Sequence, residues 1–304
     1  MCDSDRIQAG GLVMKADNNS AGIDRNSQEL TGRITPGIRK ADVQEQPDGA
    51  RNIKLVVEYD GTRYYGFQRQ KDLPTIQAAL EAAIETVTKS LSHVIASGRT
   101  DTGVHALGQV VNFKTRAGIP VDKFVPALNS VLPRDIRVVC AEEVPWTFHA
   151  RFDARWKTYE YSIDTRPVQS VFTRNYTCHV NARLNVEEMK EAAGYLVGIH
   201  DFRSFASSGG SAKTFTRNVK RLEIITCDDP ILRIRIEANG FLYNMVRTIV
   251  GTLLQVGLGK LSPDDVLKIR DARDRRLAGP TAPAYGLCLI KVDYDNDINS
   301  FGNG

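Results

Sequence analysis

From Arg51 onward, the apolar residues of this 304-residue chain alternate between two-residue spacing and helical spacing of about 3.6 residues, so the fold must mix strands with helices. The first half of this region predicts the order strand, helix, strand, strand, helix, strand. That order is the split-βαβ arrangement, which RNA-binding sheets also use. The predicted strands are 53–59, 94–96, 110–113 and 136–141, and the predicted helices are 76–87 and 121–128.

The second half of the region contains a similar mixture of elements. Asn185 with Glu188 three residues later indicates one helix start, and Ser262 followed by Pro263 indicates another. The other predicted elements are strands 158–163, 219–226, 231–237 and 287–292 and a long apolar helix, 241–256. We therefore predict an α+β fold built from two similar halves.

Residues 1–50 differ from the rest of the chain, because all 2 Trp, 10 Tyr and 11 Phe residues lie beyond them. A polar segment without aromatic side chains cannot build a core, so we predict a disordered N-terminal extension. The remainder divides into an N-terminal domain at 51–153, a C-terminal domain at 154–296 and a short tail at 297–304.

Charge and motif content exclude several classes of protein. The extension carries six Lys or Arg and eight Asp or Glu, a net charge of −2, and the whole chain has a net charge of +4. The remainder therefore has a net charge of +6, which suits a polyanionic partner. The sequence has no apolar run of about 18 residues and no secretory signal, which favours a cytoplasmic protein without a membrane span. The five cysteines are scattered without a CxxC pair, and the GxxxxGK[ST], GxSxG, HExxH and GxGxxG motifs are absent. These absences argue against zinc, thiol-redox, nucleotide-hydrolase and serine-hydrolase chemistry.

The densest group of polar residues is the segment Gly98–Ala106, predicted to connect two strands. Asp101 is expected beside the guanidinium of Arg99, and an ionised carboxylate next to a cation can act as a nucleophile or a general base. The alternative is an ordinary turn, since Asp and Gly dominate turns for local reasons. His105 follows Asp101 by four residues, but no further His or Cys lies nearby in the sequence to complete a metal site.

Three other segments could carry function. Tyr159 and Tyr161 share one face of a predicted strand, as part of either an apolar core or a stacking platform for a base. Arg247 lies opposite the main apolar stripe of the long helix, on a side that is itself apolar, so it is expected to face an anionic group or a cleft. The stretch 201–221 mixes cations with aromatic residues, which suits RNA contacts and equally a solvated loop.

Taken together, these motifs resemble the TruA family of transfer-RNA pseudouridine synthases. The resemblance extends from about Ile53 to Tyr294 in family order. The matching segments are 59–62, 65–70, 98–106, 108–110, 148–152, 157–161, 201–205, 244–251 and 282–287.

The resemblance implies an isomerase that converts uridine to pseudouridine at positions 38–40 of the tRNA anticodon stem-loop. It implies no cofactor and no metal. It also implies two RNA-binding-like, ferredoxin-like halves whose antiparallel sheets join around a central basic cleft, and a homodimer that binds tRNA.

The resemblance also assigns roles to individual residues. Asp101 is the nucleophile, and whether it attacks C1′ of the ribose or C6 of the base stays open. Arg247 is the arginine paired with that carboxylate, and Tyr159 packs on the base and assists deprotonation at C5. The expected substrate-binding residues are Tyr159, Arg99, Leu287 and His105, with Arg99 helping to displace the target nucleotide.

Two other functions compete with this interpretation. A non-catalytic RNA-binding protein could use the same split-βαβ halves, but a carboxylate in its cleft would repel phosphate. A hydrolase acting at a nucleoside bond would normally need a second carboxylate as proton donor, and the matching motifs offer none beside Asp101.

Overall fold

The computed structural model describes residues 45–226 and 229–294. The predicted tail at 297–304 and residues 1–44 of the predicted extension lie outside the described residues. At the end of that extension, Ala50 is buried and its carbonyl accepts a hydrogen bond of 2.5 Å from the side-chain amide of Gln46.

The described residues form a mixed α+β fold of ten strands and five α-helices, as the sequence predicts. The strands are β1 Arg51–Tyr59, β2 Ile95–Ala96, β3 His105–Thr115, β4 Ile136–Val144, β5 Trp156–Asp164, β6 Cys178–His179, β7 Gly198–Asp201, β8 Thr216–Ile225, β9 Ile231–Ala238 and β10 Leu287–Asp293. The helices are α1 Ile76–Thr88, α2 Val121–Val131, α3 Val186–Gly194, α4 Met245–Gly257 and α5 Pro263–Ala272. None of these helices combines the length and apolar character needed to cross a membrane.

All ten strands belong to one mostly antiparallel sheet, in the order β4-β1-β3-β10-β5-β9-β8-β7, with β2 beside β3 and β6 beside β5. The last strand, β10, lies between β3 and β5 and pairs with both. It places Cys288 opposite His105 of β3, and Leu289 opposite Tyr159 of β5. The start of β3 and the middle of β5 are thereby brought to one place in the sheet.

One continuous hydrophobic core extends along the sheet and under the helices. In β1 the alternating residues Ile53, Leu55 and Val57 are buried, as their two-residue spacing predicts. In the same core, the rings of Phe113 on β3 and Phe124 on α2 meet edge to face at 5.9 Å. The core thus includes residues from both halves of the sequence.

Local signals predicted the helix starts well. Asn185 caps α3 by accepting from the backbone N–H of Glu188, and Ser262 forms a capping box with Asp265 at the start of α5. The long helix was predicted to begin at Phe241, yet α4 begins at Met245. Asn244 immediately before it has a φ of 59°, a left-handed conformation that interrupts a right-handed helix.

Several strand predictions differ from the structure. β3 begins at His105 rather than at Val110, because most of its residues are buried on both faces and show little alternation. β6 and β7, of two and four residues, are too short for a periodic signal. The stretch 201–221 is not one loop, since it contains the end of β7, a short 3₁₀ turn and the start of β8.

Candidate active site

Asp101 lies in the connection between β2 and β3, residues 97–104, and this connection is tightly anchored. The carbonyl of Thr100 accepts from the backbone N–H of Phe67 at 3.0 Å, and the hydroxyls of Thr100 and Tyr59 lie 2.8 Å apart. Gly66 has a φ of +86°, and a side chain there would come within 2.8 Å of the Thr100 carbonyl. The backbone of the loop is therefore fixed from both sides around Asp101.

The partner of Asp101 is Arg247, from the first turn of α4. Its Nη1 lies 3.4 Å from Oδ2 of Asp101, and the two side chains are 18% and 28% exposed. Arg247 also donates from Nε to the carbonyl of Ala282 at 2.7 Å and from Nη1 to Oδ1 of Asn244 at 2.9 Å. The structure therefore brings together two of the predicted catalytic residues across 146 positions of sequence.

Burial raises the pKa of the Asp101 carboxyl, and the charge and hydrogen bond of Arg247 only partly offset this effect. No other carboxylate in the described part of the chain contributes to that shift. A poorly solvated carboxylate with one cationic partner can attack an electrophilic carbon without first shedding a water shell.

Arg99 does not stand beside Asp101 as the sequence suggests. Arg99 is exposed and forms no ion pair within residues 45–226 and 229–294. Thr100 between them is buried and anchored to Tyr59, so the loop keeps Arg99 at the surface. The neighbour of Asp101 in space is Arg247 from α4, as the family resemblance implies, whereas the spacing of residues along the loop suggested Arg99.

Tyr159 lies in the middle of β5 and is almost fully buried, with its ring edge to face against Phe241 at 5.1 Å. Burial raises the pKa of the Tyr159 hydroxyl far above its usual value, and the charges of Tyr59 and Asp101 raise it further. The hydroxyl is therefore neutral, and it lies close enough to Asp101 to sense its charge. A neutral hydroxyl can donate a hydrogen bond, whereas the phenolate that would act as a strong base is disfavoured.

Leu287 and His105 lie beside this site in different ways. Leu287 is buried at the start of β10, opposite Tyr161 of β5. Nδ1 of His105 lies 3.0 Å from the backbone N–H of Gly61 and 3.2 Å from the carboxylate of Asp60, and its Nε2 lies 2.9 and 3.2 Å from the carbonyls of Asn175 and Tyr285. Both ring nitrogens are engaged within the protein, so His105 holds three chain segments together.

Substrate binding by His105 therefore stays a prediction, and any contact with substrate would add to the contacts that both ring nitrogens already make within the protein. Nowhere in the described ranges do three His, Cys, Asp or Glu side chains converge as a metal ion would require.

Asn244 is a site residue that the sequence analysis did not single out. Its Oδ1 accepts from Arg247, and its Nδ2 donates to the hydroxyl of Ser207 at 3.1 Å. Asparagine tolerates the left-handed backbone that this position requires. Its spacing of three residues from Arg247 was an available signal, because residues at that spacing lie on one side of a helical turn.

The segment 280–286 closes the site against α4. A side chain at Gly251 would lie 1.7 Å from the carbonyl oxygen of Pro280, so only glycine allows this approach. The backbone N–H of Ala282 donates to the carbonyl of Arg247 at 3.0 Å, and Tyr161 donates to the carbonyl of Pro283 at 2.9 Å. These contacts fix the carbonyl of Ala282 that orients the Arg247 guanidinium.

Comparison with known proteins places this site in a family. The family model described as tRNA pseudouridine synthase matches residues 55–153 and 192–295, which include Asp101 and Arg247. The chain is 53% identical over 244 residues to a protein named tRNA pseudouridine synthase A from Thermoanaerobacter sp. (strain X514), covering 80% of this chain and all of that one. It is 48% identical over 244 residues, with the same coverage, to a protein of that name from Acetivibrio thermocellus.

A solved structure titled "Crystal Structure of a Cbf5-Nop10-Gar1 Complex" is also similar, at 12% identity and a TM-score of 0.30 over 78% of this chain and 57% of that one. A similarity at this level carries no argument about the site. The match to the family model and the identity to full-length relatives are sufficient on their own: this chain belongs to the tRNA pseudouridine synthase family.

Proposed function

We propose that this protein isomerises uridine to pseudouridine in tRNA, at positions 38–40 of the anticodon stem-loop, with Asp101 as the nucleophile. The observation that carries the proposal is the ion pair of Asp101 with Arg247 in a poorly solvated loop, close to the neutral hydroxyl of Tyr159. Family membership supplies the class of reaction. The proposed reaction uses no cofactor, because the carboxylate of Asp101 supplies the covalent step and the product forms without net oxidation or reduction.

The carboxylate of Asp101 can act by two routes. In one, it bonds to C1′ of the ribose while the C1′–N1 bond breaks and N1 keeps the electron pair; the detached uracil then turns, and C5 displaces the carboxylate from C1′. In the other, the carboxylate adds to C6 of the uracil before the C1′–N1 bond breaks, and it is eliminated after C5 has bonded to C1′. In both routes C5 loses a proton and N1 gains one, so the atoms balance.

The other site residues support this chemistry. We expect the target base to pack against Tyr159, which is almost fully buried in the free protein, and Leu287 lies in the same region on the neighbouring strand β10. The guanidinium of Arg247 balances the carboxylate before and after the covalent step. Arg99 is exposed on the same loop, in a position to replace the target base in its stack once the nucleotide is extruded.

The competing functions have less support. A hydrolase at a nucleoside bond would place a second carboxylate near the first, and no other described carboxylate perturbs the pKa of Asp101. A non-catalytic RNA-binding protein gains nothing from a half-buried carboxylate whose raised pKa shows that its charge is disfavoured in the fold.

Two RNA-binding-like halves joined around a basic cleft, and assembly as a cytoplasmic homodimer, belong to the same proposal. The split-βαβ order of the elements supports the halves. Exposed apolar side chains between β5 and β6, with Phe172 88% exposed, support a partner copy that covers them. Sedimentation of the full chain measures the dimer directly, and a monomer at all concentrations would contradict it.

The test of the activity is tritium release from tRNA labelled with [5-³H]uridine. We expect release with the wild type and none with Asp101→Asn, although the variant still binds tRNA. Asp122→Asn, an exposed site on α2, is the matched control and should behave as the wild type. Mapping of the product by carbodiimide should place pseudouridine in the anticodon arm. Release by Asp101→Asn would refute the role of the nucleophile, and a product elsewhere in the tRNA would refute the positions.

A further inference from the structure

Three cationic side chains, Lys157, Arg217 and Arg151, have no carboxylate partner among residues 45–226 and 229–294 and act on one another close to the strand that carries Tyr159. Lys157 precedes Tyr159 by two residues on β5, so both side chains leave the same face of the sheet. Arg217 on β8 belongs to that face as well, because Val219, two residues on, pairs with Ala238, which in turn pairs with Lys157. Arg151, from the connection before β5, acts electrostatically on Lys157, as does Arg217.

The ammonium of Lys157 is held at the base of the loop that carries Asp101. Its Nζ donates to the carbonyl of Ser97 at 2.6 Å, and a side chain at Gly98 would come within 3.4 Å of it. Ser97 is the first residue of the connection 97–104, and its own hydroxyl is fixed by Gln109 of β3 at 2.7 Å. The cation and the catalytic carboxylate therefore belong to one rigid unit.

The neighbouring strands supply no negative charge to Lys157. The residues opposite it are Ala238 on β9 and Val292 on β10. The adjacent carboxylates, Glu237 and Asp293, are held elsewhere by other lysines. These ion pairs are Lys220–Glu237 at 2.7 Å and Lys291–Asp293 at 3.0 Å.

Arg217 and Arg151 are equally without an acidic partner in the described ranges. Arg217 donates from Nη1 to the backbone carbonyls of Thr214 and Thr216, at 3.0 and 2.7 Å. A Cβ atom added at Gly240 would lie 3.6 Å from its Nε. Arg151 stacks only loosely on Phe152, with 5.8 Å between the guanidinium carbon and the ring centre.

In the free protein, the closeness of Lys157, Arg217 and Arg151 disfavours the charged form of Lys157. Burial lowers the pKa of the Lys157 ammonium to about 8, with further lowering by Arg151 and Arg217. Clustered cations without counter-charge are retained where an anion from outside completes the site.

We propose that Lys157, Arg217 and Arg151 bind a backbone phosphate of the RNA, next to the nucleotide that Asp101 attacks. This inference rests on the proposed function, since it takes the RNA as substrate. Lys157 and Tyr159 are separated by one strand repeat of about 7 Å. A nucleotide whose base packs on Tyr159 therefore brings a phosphodiester of its own strand within reach of the three cations.

The chemistry of Lys157 gives this subsite a pH dependence. Only the ammonium form attracts phosphate, and a bound phosphate raises the pKa of Lys157 above its value of about 8 in the free protein. Between the free and the bound pKa, the Kd for RNA therefore rises with pH, by at most about tenfold per pH unit. Arginine at this position stays charged throughout and removes the dependence.

The test is equilibrium binding of an unmodified tRNA transcript to the full chain between pH 7.0 and 8.8, at several salt concentrations. We expect wild-type affinity to fall several-fold over this range and Lys157→Arg to show a flat profile. Lys157→Met should bind more weakly at pH 7 and lower the slope of log Kd against log salt by about one. Lys190→Met is the matched control, because Lys190 is already paired with Glu187 at 2.8 Å, and it should match the wild type.

Two results would overturn the subsite: an unchanged Kd and salt slope in Lys157→Met, or a Lys157→Arg profile that still falls with pH. Tritium release by the same wild-type preparation separates this inference from the proposed function. Tritium release by the wild type, together with a Kd for tRNA that is unchanged in the Lys157 variants, refutes the subsite alone. Binding that depends on Lys157 without release refutes the reaction alone.

Discussion

Replacing Arg247 with methionine should destabilise the fold by about 3 kcal/mol, because the guanidinium makes two short hydrogen bonds inside the protein. Its bonds to the Ala282 carbonyl and to Asn244 are 2.7 and 2.9 Å long. Hydrogen bonds from a charged donor contribute about 1.5–3 kcal/mol each, and the partly exposed guanidinium places both at the lower end. Methionine keeps most of the apolar packing of the side chain on α4.

The ion pair with Asp101 should add little to that figure. Its two groups are 3.4 Å apart and 18% and 28% exposed, so water screens their attraction. A double-mutant cycle with Asp101→Asn isolates this contribution, which we expect to be below about 1 kcal/mol. The stabilising role of Arg247 thus lies mainly in holding the 280–286 segment, and its role toward Asp101 is mainly electrostatic.

Urea unfolding measures the loss directly, and thermal unfolding should show a fall of roughly 6–12 °C for 3 kcal/mol in a folded unit of this size. Tritium release should be lost in the same variant. Arg276→Met is the control, since Arg276 is exposed and pairs only with Asp274 within the described ranges, and it should leave the melting temperature unchanged. An unchanged urea midpoint for Arg247→Met, or a coupling energy with Asp101 above about 2 kcal/mol, would show that the energy has been assigned to the wrong contacts.

Two further predictions concern stability. The pKa of Asp101 is raised in the folded state, so protonation of its carboxyl stabilises the native state. This contribution to the free energy of unfolding is fully present below the unfolded-state pKa and is lost as pH rises through the folded-state pKa. Asp101→Asn should therefore unfold at the same or a higher urea concentration than the wild type at pH 7, with the difference vanishing toward pH 3, and a variant less stable at pH 7 would contradict this. Gly251→Ala should separate α4 from Pro280, where the added carbon would lie 1.7 Å from a carbonyl oxygen, and should lower stability by roughly 1–3 kcal/mol or more. We expect tritium release to fall in the folded fraction too, since the same segment orients Arg247, and full activity per folded molecule would argue against that link.

Much of the fold could be predicted because its signals are local. Ser262 and Asn185 determine helix starts through bonds to residues three positions away, and the alternation of Ile53 to Tyr59 reflects one buried face. The motif around Asp101 was also visible, since a polar segment between strands needs no partner to be recognised. No local pattern shows which cation reaches Asp101, and only the resemblance to the family named Arg247 in advance.

That cation is Arg247 rather than Arg99, because the pairing depends on where α4 and the 280–286 segment lie after the sheet has formed. Lys157 was overlooked for the same reason. On its strand it is one charged residue beside Tyr159, and its unusual surroundings arise only when β8 brings Arg217 to the same face.

The position of β10 has a consequence for how the chain acquires activity during synthesis. Strand β10, Leu287–Asp293, pairs with β3 on one side and with β5 on the other. Of the ten described strands, it is nevertheless the last to leave the ribosome. Until then, His105 of β3 and Tyr159 of β5 have no common neighbour, and the strand edges that await β10 are unpaired. A nascent chain therefore contains Asp101, Tyr159 and Arg247 before the sheet holds them together, and we expect modification of RNA to begin only after β10 has left the ribosome and paired with both strands.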